Sequence, residues 1–384
     1  MRNRLLVFNC STDMALASGL DNYTPPPMIQ CMERELELLP IWWAFNGDVV
    51  LVTDIDEAKL FLDQVNEKLT SCELPPKNIV FMDRKGRLSG KSIDRKQLQP
   101  CPWGWNKSLV RQLLRLGLNP EAMPTPERLD VLRMFSNRRS GVAYIRHLLS
   151  HFQSRKWPDN DAVSFHELVG FDMDFVDNWP AMTDKMNLLL PKYPMMLKSP
   201  WSSSGKGNLV MREADKNAIQ WAKSVIDKQG GLCVDRFYRK ELDFAMEFSV
   251  HDGVCAFLGY SLFRTDTNGR YEGNVVGSQH QILNTILDAG VEMPILKRVA
   301  DYHQHCLPLW LGHDYDDVVG IDMLLANVGG RHYLHPCVEI NLRMNMGIVA
   351  LALAQQRIPD MSLTPSDHPH FRARLFQGRF FIEK

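Results

Sequence analysis

Short apolar runs alternate with helical stretches in the first third of the chain. RLLVFN (4–9), DVVLVTD (48–54) and NIVFMD (78–83) each have the length of a buried strand, and residues 28–45 between the first two have a helical pattern. Strands that alternate with helices favour βαβ units around a parallel sheet. The loop after the first strand (9–27) contains no G-x-G-x-x-G fingerprint, and we expect its prolines to prevent a helix from starting directly after the strand.

The middle of the chain is helical in pattern and the last part is strand-like. Apolar residues recur at helical spacing over 105–118 and 125–152, and Thr125 followed by Pro126 predicts a helix with threonine as its N-cap. Strand patterns follow in three segments: 231–238, 242–264 and 318–343. The turn signals HDG and NVGG predict antiparallel pairing within the last two segments. The proline-rich segment 357–371 is predicted to lie at the surface.

The composition is that of an ordinary globular protein. The 384 residues suffice for two or three domains, and 45% of them are hydrophobic and 23% charged. Lys+Arg 44 against Asp+Glu 45 leaves a formal charge of -1, so no nucleic-acid partner is predicted. No apolar run suits a signal peptide or a membrane-spanning helix, which predicts no membrane partner. The eight cysteines form no C-x-x-C pair, and reduced thiols in a cytoplasmic protein are the expectation.

One polar loop, PWSSSGKG (200–207), interrupts strand-like apolar sequence. A P-loop needs glycine at its first position and Ser or Thr after the lysine, whereas this sequence has Pro200 and Gly207 there. Glycine backbone amides, serine hydroxyls and a lysine can nevertheless surround an anion. The loop alone therefore leaves two interpretations open, an ordinary hairpin turn and a phosphate-binding loop.

Acidic, amide and guanidinium side chains share one face of the predicted strand over 337–343. Glu339, Asn341 and Arg343 alternate with apolar residues, and Asp322 lies within the apolar strand that precedes them. A buried acid is costly unless it is paired or binds a metal, and a hairpin would bring Asp322 alongside Glu339. Hard oxygen ligands suit Mg²⁺, so the pattern favours a metal site over a half-exposed sheet.

Five features in this order resemble the ATP-grasp superfamily over about residues 136–350: Lys198, the loop Ser202 to Gly207, Asp235 in CVDRFY, Asp322 and EINLR (339–343). The resemblance implies an α/β fold, α+β within the grasp, with an N-terminal βαβ pre-ATP-grasp domain and a two-lobed grasp of mixed and antiparallel sheets. It implies three domains: 1–130 (βαβ), 131–235 (small lobe with the phosphate loop) and 236–384 (core lobe with the metal site). The N-terminal region is similar to that of a bacterial branch of the superfamily, which implies no substrate.

The resemblance implies that ATP binds along the loop and the small lobe. Residues that would contact the phosphates are Arg139 (with Arg138 as the alternative), Lys198, Ser202, Ser203, Ser204, Gly205, Lys206 and Gly207. Asp235 would bind the ribose or the hinge, and the backbone near Phe237 would bind adenine.

The resemblance also implies a metal centre and an oxyanion contact. Two Mg²⁺ ions, replaceable by Mn²⁺, would be held by Asp322, Glu339 and Asn341, and Lys198 and Arg343 would be catalytic. D-alanine:D-alanine ligase has an arginine where this chain has Gly320, which leaves the oxyanion role to Arg343 or to another arginine. The interval between Asp322 and Glu339 is longer than is usual, which predicts a wide turn over NVGGRHYLHP.

Two further groups of side chains are candidates for binding sites. The stretch 261–278 offers Arg264, Arg270 and Asn274 to a substrate carboxylate or phosphate, and a polar loop between strands is the equal alternative. His303 and His305 are two residues apart in a helical segment and diverge, so no zinc site is predicted there.

The resemblance implies an ATP- and Mg²⁺-dependent, ADP-forming ligase that joins a carboxylate to an amine or a thiol through an acyl phosphate. Two alternatives stay open, an ATP-grasp kinase that stops at phosphoryl transfer and an ATP-binding protein without catalysis. The expected partners are small-molecule or peptide carboxylates and amines, and a homodimer is compatible with the sequence.

Overall fold

The computed structural model describes residues 3–90, 93–154, 168–202, 207–266, 271–312 and 315–384. The chain divides into two compact units, and each is described by itself. Unit 1 comprises residues 1–132, 273–278 and 343–384, and unit 2 comprises residues 133–272 and 279–342. The predicted division into three domains stays a prediction.

Unit 1 is built around a parallel sheet. Its strands are β1 (Arg4–Val7), β2 (Val49–Val52), β3 (Val80–Asp83) and β4 (Gln99–Pro102), in the order β3-β2-β1-β4. Every neighbouring pair in this sheet is parallel, so the predicted βαβ arrangement is confirmed. The helices of this region are α1 (Thr12–Ser18), α2 (Pro27–Glu35), α3 (Ile55–Ser71), α4 (Lys107–Arg115) and α5 (Pro126–Phe135). The predicted cap of α5 is also confirmed, because the Arg128 amide donates to the Thr125 hydroxyl at 3.2 Å.

One expectation for the first loop was wrong, and the expectation for the segment after it is confirmed in part. Helix α1 begins five residues after β1, because Thr12 to Ser18 contains good helix formers and all the prolines follow it. The helical pattern over 28–45 is confirmed only in part, by helix α2. It ends at Glu35, and a short 3-10 turn follows at Leu39–Trp42, since Pro40 has no amide to continue an α-helix.

The C-terminal segment completes the core of unit 1. It forms α11 (Met346–Gln355) and the strands β14 (Met361–Ser362), β15 (Arg372–Phe376) and β16 (Arg379–Glu383), of which β16 pairs with β11 (Tyr271–Val275) at Asn274 and Val275. The expectation that 357–371 lies at the surface was wrong in part. Leu363 and Phe371 are buried against Trp42, whose indole N–H donates to the Leu363 carbonyl at 2.8 Å.

Unit 2 contains two antiparallel sheets. The smaller has the order β5-β8-β6-β7, formed by β5 (Asp174–Val176), β6 (Met195–Lys198), β7 (Asn208–Met211) and β8 (Leu232–Arg236). The larger has the order β13-β12-β9-β10, formed by β9 (Arg239–His251), β10 (Val254–Thr265), β12 (Asp317–Val328) and β13 (Arg331–Asn341). The helices are α6 (Arg138–Ser154), α7 (Trp179–Leu189), α8 (Lys216–Gln229), α9 (Gln279–Asp288) and α10 (Met293–Leu311). The predicted α/β class with parallel and antiparallel sheets is confirmed.

The β12–β13 hairpin closes through a tight turn, which corrects the expected wide one. Val328 pairs with Arg331, and Gly329 and Gly330 between them have φ of 62° and 83°. Two consecutive residues with positive φ fit the right-handed twist of a two-residue hairpin, which explains the two glycines. The extra residues between Asp322 and Glu339 belong instead to longer strands and to a register shift after Asp322.

None of the helices in the described residues combines the length and the apolar character needed to cross a bilayer.

Candidate functional site

The predicted phosphate loop closes the β6–β7 hairpin in unit 2. Lys198, the last residue of β6, pairs with Asn208, and the Ser199 amide donates to the Gly207 carbonyl at 2.8 Å. A Cβ at Gly207 would come within 2.5 Å of the Ser202 side chain, so only glycine allows the loop to close this tightly. The four residues Ser203, Ser204, Gly205 and Lys206 lie outside the described part of the chain.

Lys198 is a buried cation at the start of this loop. The residue is 8% exposed, and its positive charge lowers the pKa of the buried thiols of Cys233 and Cys337. The position therefore suits a lysine that meets an anionic ligand.

The predicted metal residues lie on the β12–β13 hairpin. Asp322 pairs directly with Glu339, and Gly320 pairs with Asn341 in the same ladder, which confirms the predicted pairing. The β-carbons of directly opposed residues lie about 4.5 to 5.5 Å apart, so the Asp322 and Glu339 carboxylates can approach one ion. All three predicted ligands are half-buried. Two carboxylates and an amide are hard donors, and they fit Mg²⁺ together with phosphate and water ligands.

Arg138 joins the phosphate loop to the hairpin. Its guanidinium donates to the Ser199 carbonyl at 2.5 Å, to the Ser202 hydroxyl at 2.8 Å and to the Glu339 carboxylate at 2.6 Å. The Arg138 side chain is only 6% exposed. Arg139 lies at the surface instead, where it pairs with Asp177 at 2.9 Å. Arg138 is thus the arginine that contacts the loop.

Charged side chains of this region surround two buried thiols. Burial raises the pKa of Cys337, the charge of Asp322 raises it further, and Lys198 lowers it. Burial likewise raises the pKa of Cys233 to about 12, against the effects of Lys198 and Arg138. Both thiols are therefore protonated at neutral pH, which disfavours a nucleophilic role for either of them. Their shifts also indicate that the lysine, the arginine and the acids lie near these two thiols.

Asp235 is held by a histidine that the sequence did not single out. Its Oδ2 lies 3.0 Å from His335 Nε2, and its Oδ1 accepts from the Arg236 amide at 2.7 Å. His335 is buried in β13, and its Nδ1 has no hydrogen-bond partner within the described residues. Asp235 is thus fixed in orientation by a side chain from a strand of the larger sheet.

The remaining predicted residues are spread over the two units. In unit 2, the Phe237 amide donates to the Pro194 carbonyl at 2.8 Å, and Arg264 is exposed in β10. In unit 1, Asn274 is buried in β11, and Arg343 follows the end of β13 and forms a bidentate ion pair with Asp13. Arg270 lies outside the described residues. Arg343 is not on the predicted strand, because β13 ends at Asn341.

Another acid beside the hairpin was missed. Glu247 in β9 pairs with Gly320, is 1% exposed, and accepts from the Ser261 hydroxyl at 2.7 Å. An acid within the otherwise apolar run FAMEFSV was the available signal. His335 could not be predicted as a site residue for another reason. It precedes Pro336, and the shift in β13 that accommodates this proline breaks the alternation that would relate it to Glu339.

The comparisons with known proteins found relatives by structure only. No family model and no curated protein matches the chain. Similar solved structures include N5-carboxyaminoimidazole synthetase from Staphylococcus aureus in complex with ADP. The two chains are 9% identical with a TM-score of 0.42, and the match covers 91% of this chain and 77% of that one. The solved structures named in this section are ATP-grasp enzymes.

Two further solved structures are also similar to this chain. D-alanyl-alanine synthetase A from Vibrio cholerae is 11% identical, with a TM-score of 0.42 and coverage of 93% of this chain and 94% of that one. The biotin carboxylase complex from Campylobacter jejuni is 10% identical, with a TM-score of 0.43 and coverage of 97% and 74%. These TM-scores lie below 0.5, so the activity of this chain has to be argued from its own residues.

Proposed function

We propose that this chain is an ATP- and Mg²⁺-dependent ligase of the ATP-grasp type that joins a carboxylate to an amine or a thiol. Arg138 donates to Ser199, Ser202 and Glu339. The observation that carries the proposal is that this arginine connects the residues that follow Lys198 with the opposed acids Asp322 and Glu339. Cations beside an oxygen-rich metal site are what a triphosphate requires.

The proposed role of each residue follows from the chemistry of its side chain. Asp322, Glu339 and Asn341 would hold Mg²⁺, and bound Mg²⁺ would neutralise charge on the phosphates. Lys198 and Arg138 would bind phosphate oxygens, and the loop amides and the Ser202 hydroxyl would add donors. Asp235 and the backbone at Phe237 would contact the nucleoside.

The proposed chemistry is phosphoryl transfer followed by acyl transfer. A substrate carboxylate oxygen attacks the γ-phosphorus, the bond from that phosphorus to the bridging oxygen breaks, and ADP leaves. An amine or a thiol then attacks the acyl carbon and expels phosphate, and the proton of the nucleophile is lost to solvent or to a base.

The test is Glu339→Ala, with Glu383→Ala as the matched control. Both acids lie in strands, but Glu383 is near the C-terminus and pairs with Arg374 at the surface. ADP release would be measured over a panel of carboxylic acids, with hydroxylamine present to trap acyl phosphates as hydroxamates. We expect Glu339→Ala to lower turnover by more than about 100-fold, and Glu383→Ala to match the wild type.

Each outcome separates the candidate functions. A hydroxamate that forms only with ATP and one class of acid supports the ligase. ADP together with a stable phosphorylated product and no hydroxamate identifies the kinase. Binding of ATP without ADP over the whole panel indicates a protein that only binds nucleotide. Full activity in Glu339→Ala would refute the metal assignment.

A further inference from the structure

A cluster of three metal-ligand side chains lies in unit 1, away from the residues assigned to ATP. Cys31 and Glu35 are one helical turn apart at the end of α2, so both face the same side of the helix. His370 comes from the segment that leads into β15. The Cys31 sulfur, the Glu35 Oε1 and the His370 Nδ1 are each 3.2 Å from the other two.

The dimensions of this triangle suit a transition-metal ion. Tetrahedral zinc with bonds of about 2.0 to 2.3 Å places its ligand atoms about 3.3 to 3.8 Å apart. The three atoms of this cluster are therefore within a few tenths of an ångström of the required spacing. A fourth position stays open toward solvent, because the His370 side chain is 50% exposed.

Glu35 is oriented before any ion arrives. Its side chain is 2% exposed, and its Oε2 accepts from the Phe371 amide at 2.8 Å and the His370 amide at 3.2 Å. These two bonds turn Oε1 toward the thiol and the imidazole. Fixing a ligand through backbone donors is a feature of protein metal sites, since it lowers the cost of ordering the ligand.

We propose that Cys31, Glu35 and His370 bind one Zn²⁺ ion, with water as the fourth ligand. A thiolate, an imidazole and a carboxylate are the donors that zinc takes in proteins. One thiolate and one carboxylate also balance the two charges of the ion. The site would fasten α2 to the segment before β15, two parts of the sequence more than 330 residues apart.

The arrangement does not suit the alternative of a nucleophilic thiol. The nearest charged group to the sulfur is the Glu35 carboxylate, which opposes formation of a thiolate. Arg34 lies farther away, with its Nη2 4.0 Å from the sulfur, and its side chain is exposed. A divalent cation would reverse this balance, because it stabilises both anions at once.

The first experiment measures zinc in the full-length protein. The protein is stripped with a chelator, given Zn²⁺ and assayed by competition with a chromophoric chelator. We expect one tight equivalent in the wild type and a loss of affinity of more than about tenfold in Cys31→Ser and His370→Ala. Serine preserves a hydroxyl donor to Glu35 but not a thiolate ligand, so Cys31→Ser separates a metal site from a hydrogen-bonded triad.

Cobalt identifies the ligand type and provides the controls. Co²⁺ bound to a thiolate gives a charge-transfer band in the near ultraviolet, which oxygen ligands such as Asp322 and Glu339 do not produce. We expect this band in the wild type and in Cys72→Ser and His280→Ala, which change an exposed cysteine and an exposed histidine. The proposal is overturned if the wild type binds neither ion tightly, or if Cys31→Ser keeps the band and the zinc affinity.

Discussion

At the scale of single residues, the candidate site depends on which of two adjacent arginines faces inward. Consecutive residues on a helix point about 100° apart, so Arg138 and Arg139 at the start of α6 cannot share a face. Arg138 is inside and connects the phosphate loop with Glu339, whereas Arg139 stacks at 4.5 Å on the exposed side of Phe175. Only one of the two can serve a ligand in the loop.

Arg138→Ala is expected to raise the KM for ATP by more than about tenfold. The change removes three charge-assisted hydrogen bonds around the loop, and such bonds contribute more than bonds between neutral groups. Arg138→Lys keeps the charge but cannot donate to three acceptors in a fixed plane, so an intermediate KM is expected. Initial rates over a range of ATP concentrations measure both values.

Arg139→Ala is the matched control for this prediction. Its ion pair with Asp177 is exposed on both sides, at 57% and 52%, and water and salt weaken such surface pairs until they contribute little. We therefore expect a KM close to that of the wild type. The opposite result, a large effect at Arg139 and none at Arg138, would return the phosphate role to Arg139.

Some residues of the candidate site could be predicted from the sequence, and others could not, for physical reasons. The alternation around Glu339 and Asn341 is local, and it predicted correctly that Asp322 lies opposite Glu339. The choice between Arg138 and Arg139 depends on which face of α6 packs against the sheet. A single sequence contains no pattern that shows this. Asp235 and His335 meet across two strands 100 residues apart, so no spacing rule could pair them.

At the scale of elements, helix α10 shows how a sheet-packed helix uses its two faces. His303 is completely buried, lies 2.9 Å from the Tyr144 hydroxyl through Nδ1 and 3.3 Å from the Pro336 carbonyl through Nε2. His305, two residues further on, is exposed. The predicted divergence of these histidines is confirmed, and the inward one serves the packing of the helix.

Acidification is expected to weaken the fold through His303. Burial lowers its pKa to about 3 in the folded protein, against an ordinary value near 6.5. Below about pH 6.5 the unfolded chain binds a proton that the folded chain does not, so this contribution to stability is complete above that pH and falls as the pH drops. At pH 5 the loss is about 2 kcal/mol.

Urea unfolding of His303→Phe at pH 7 and pH 5 tests this linkage. The variant loses two hydrogen bonds and is less stable at pH 7, by about 1 to 3 kcal/mol. Its disadvantage relative to the wild type should shrink by about 2 kcal/mol at pH 5, because it no longer carries the buried imidazole. His305→Gln should follow the wild type at both values. An unchanged difference between wild type and His303→Phe would contradict the assignment.

Whole elements were predictable where their signals are local. Two-residue turns with glycines or Asp-Gly fixed the hairpins at 252–253 and 329–330, and alternation fixed their strands. The wide turn expected over 327–336 was wrong, because that prediction rested only on the number of residues between Asp322 and Glu339. The number of residues alone does not show whether a wider turn or longer strands accommodate the additional residues.

At the scale of the whole molecule, unit 1 is assembled from three separate segments of the chain. Its core packs residues of the first segment, such as Leu6, Trp42 and Val50, with Leu363 and Phe380 from the last. The prolines of 357–371 gave that segment the appearance of a surface tail. Contacts between residues more than 300 positions apart leave no periodicity in either segment, so the sequence alone did not reveal them.

Phe380→Ala is expected to destabilise unit 1 by about 3 to 5 kcal/mol, because it opens a cavity in a core that extends to the first strands. Phe380 is fully buried, whereas Phe376 on the neighbouring strand is 50% exposed, so Phe376→Ala should cost no more than about 0.5 kcal/mol. Hydrogen exchange read by mass spectrometry locates the effect. Peptides from β1 and β2 should lose protection in Phe380→Ala, while peptides from β9 and β10 serve as the internal reference within unit 2. Equal protection of β1 and β2 in both variants would mean that the C-terminal segment is dispensable for the core of unit 1.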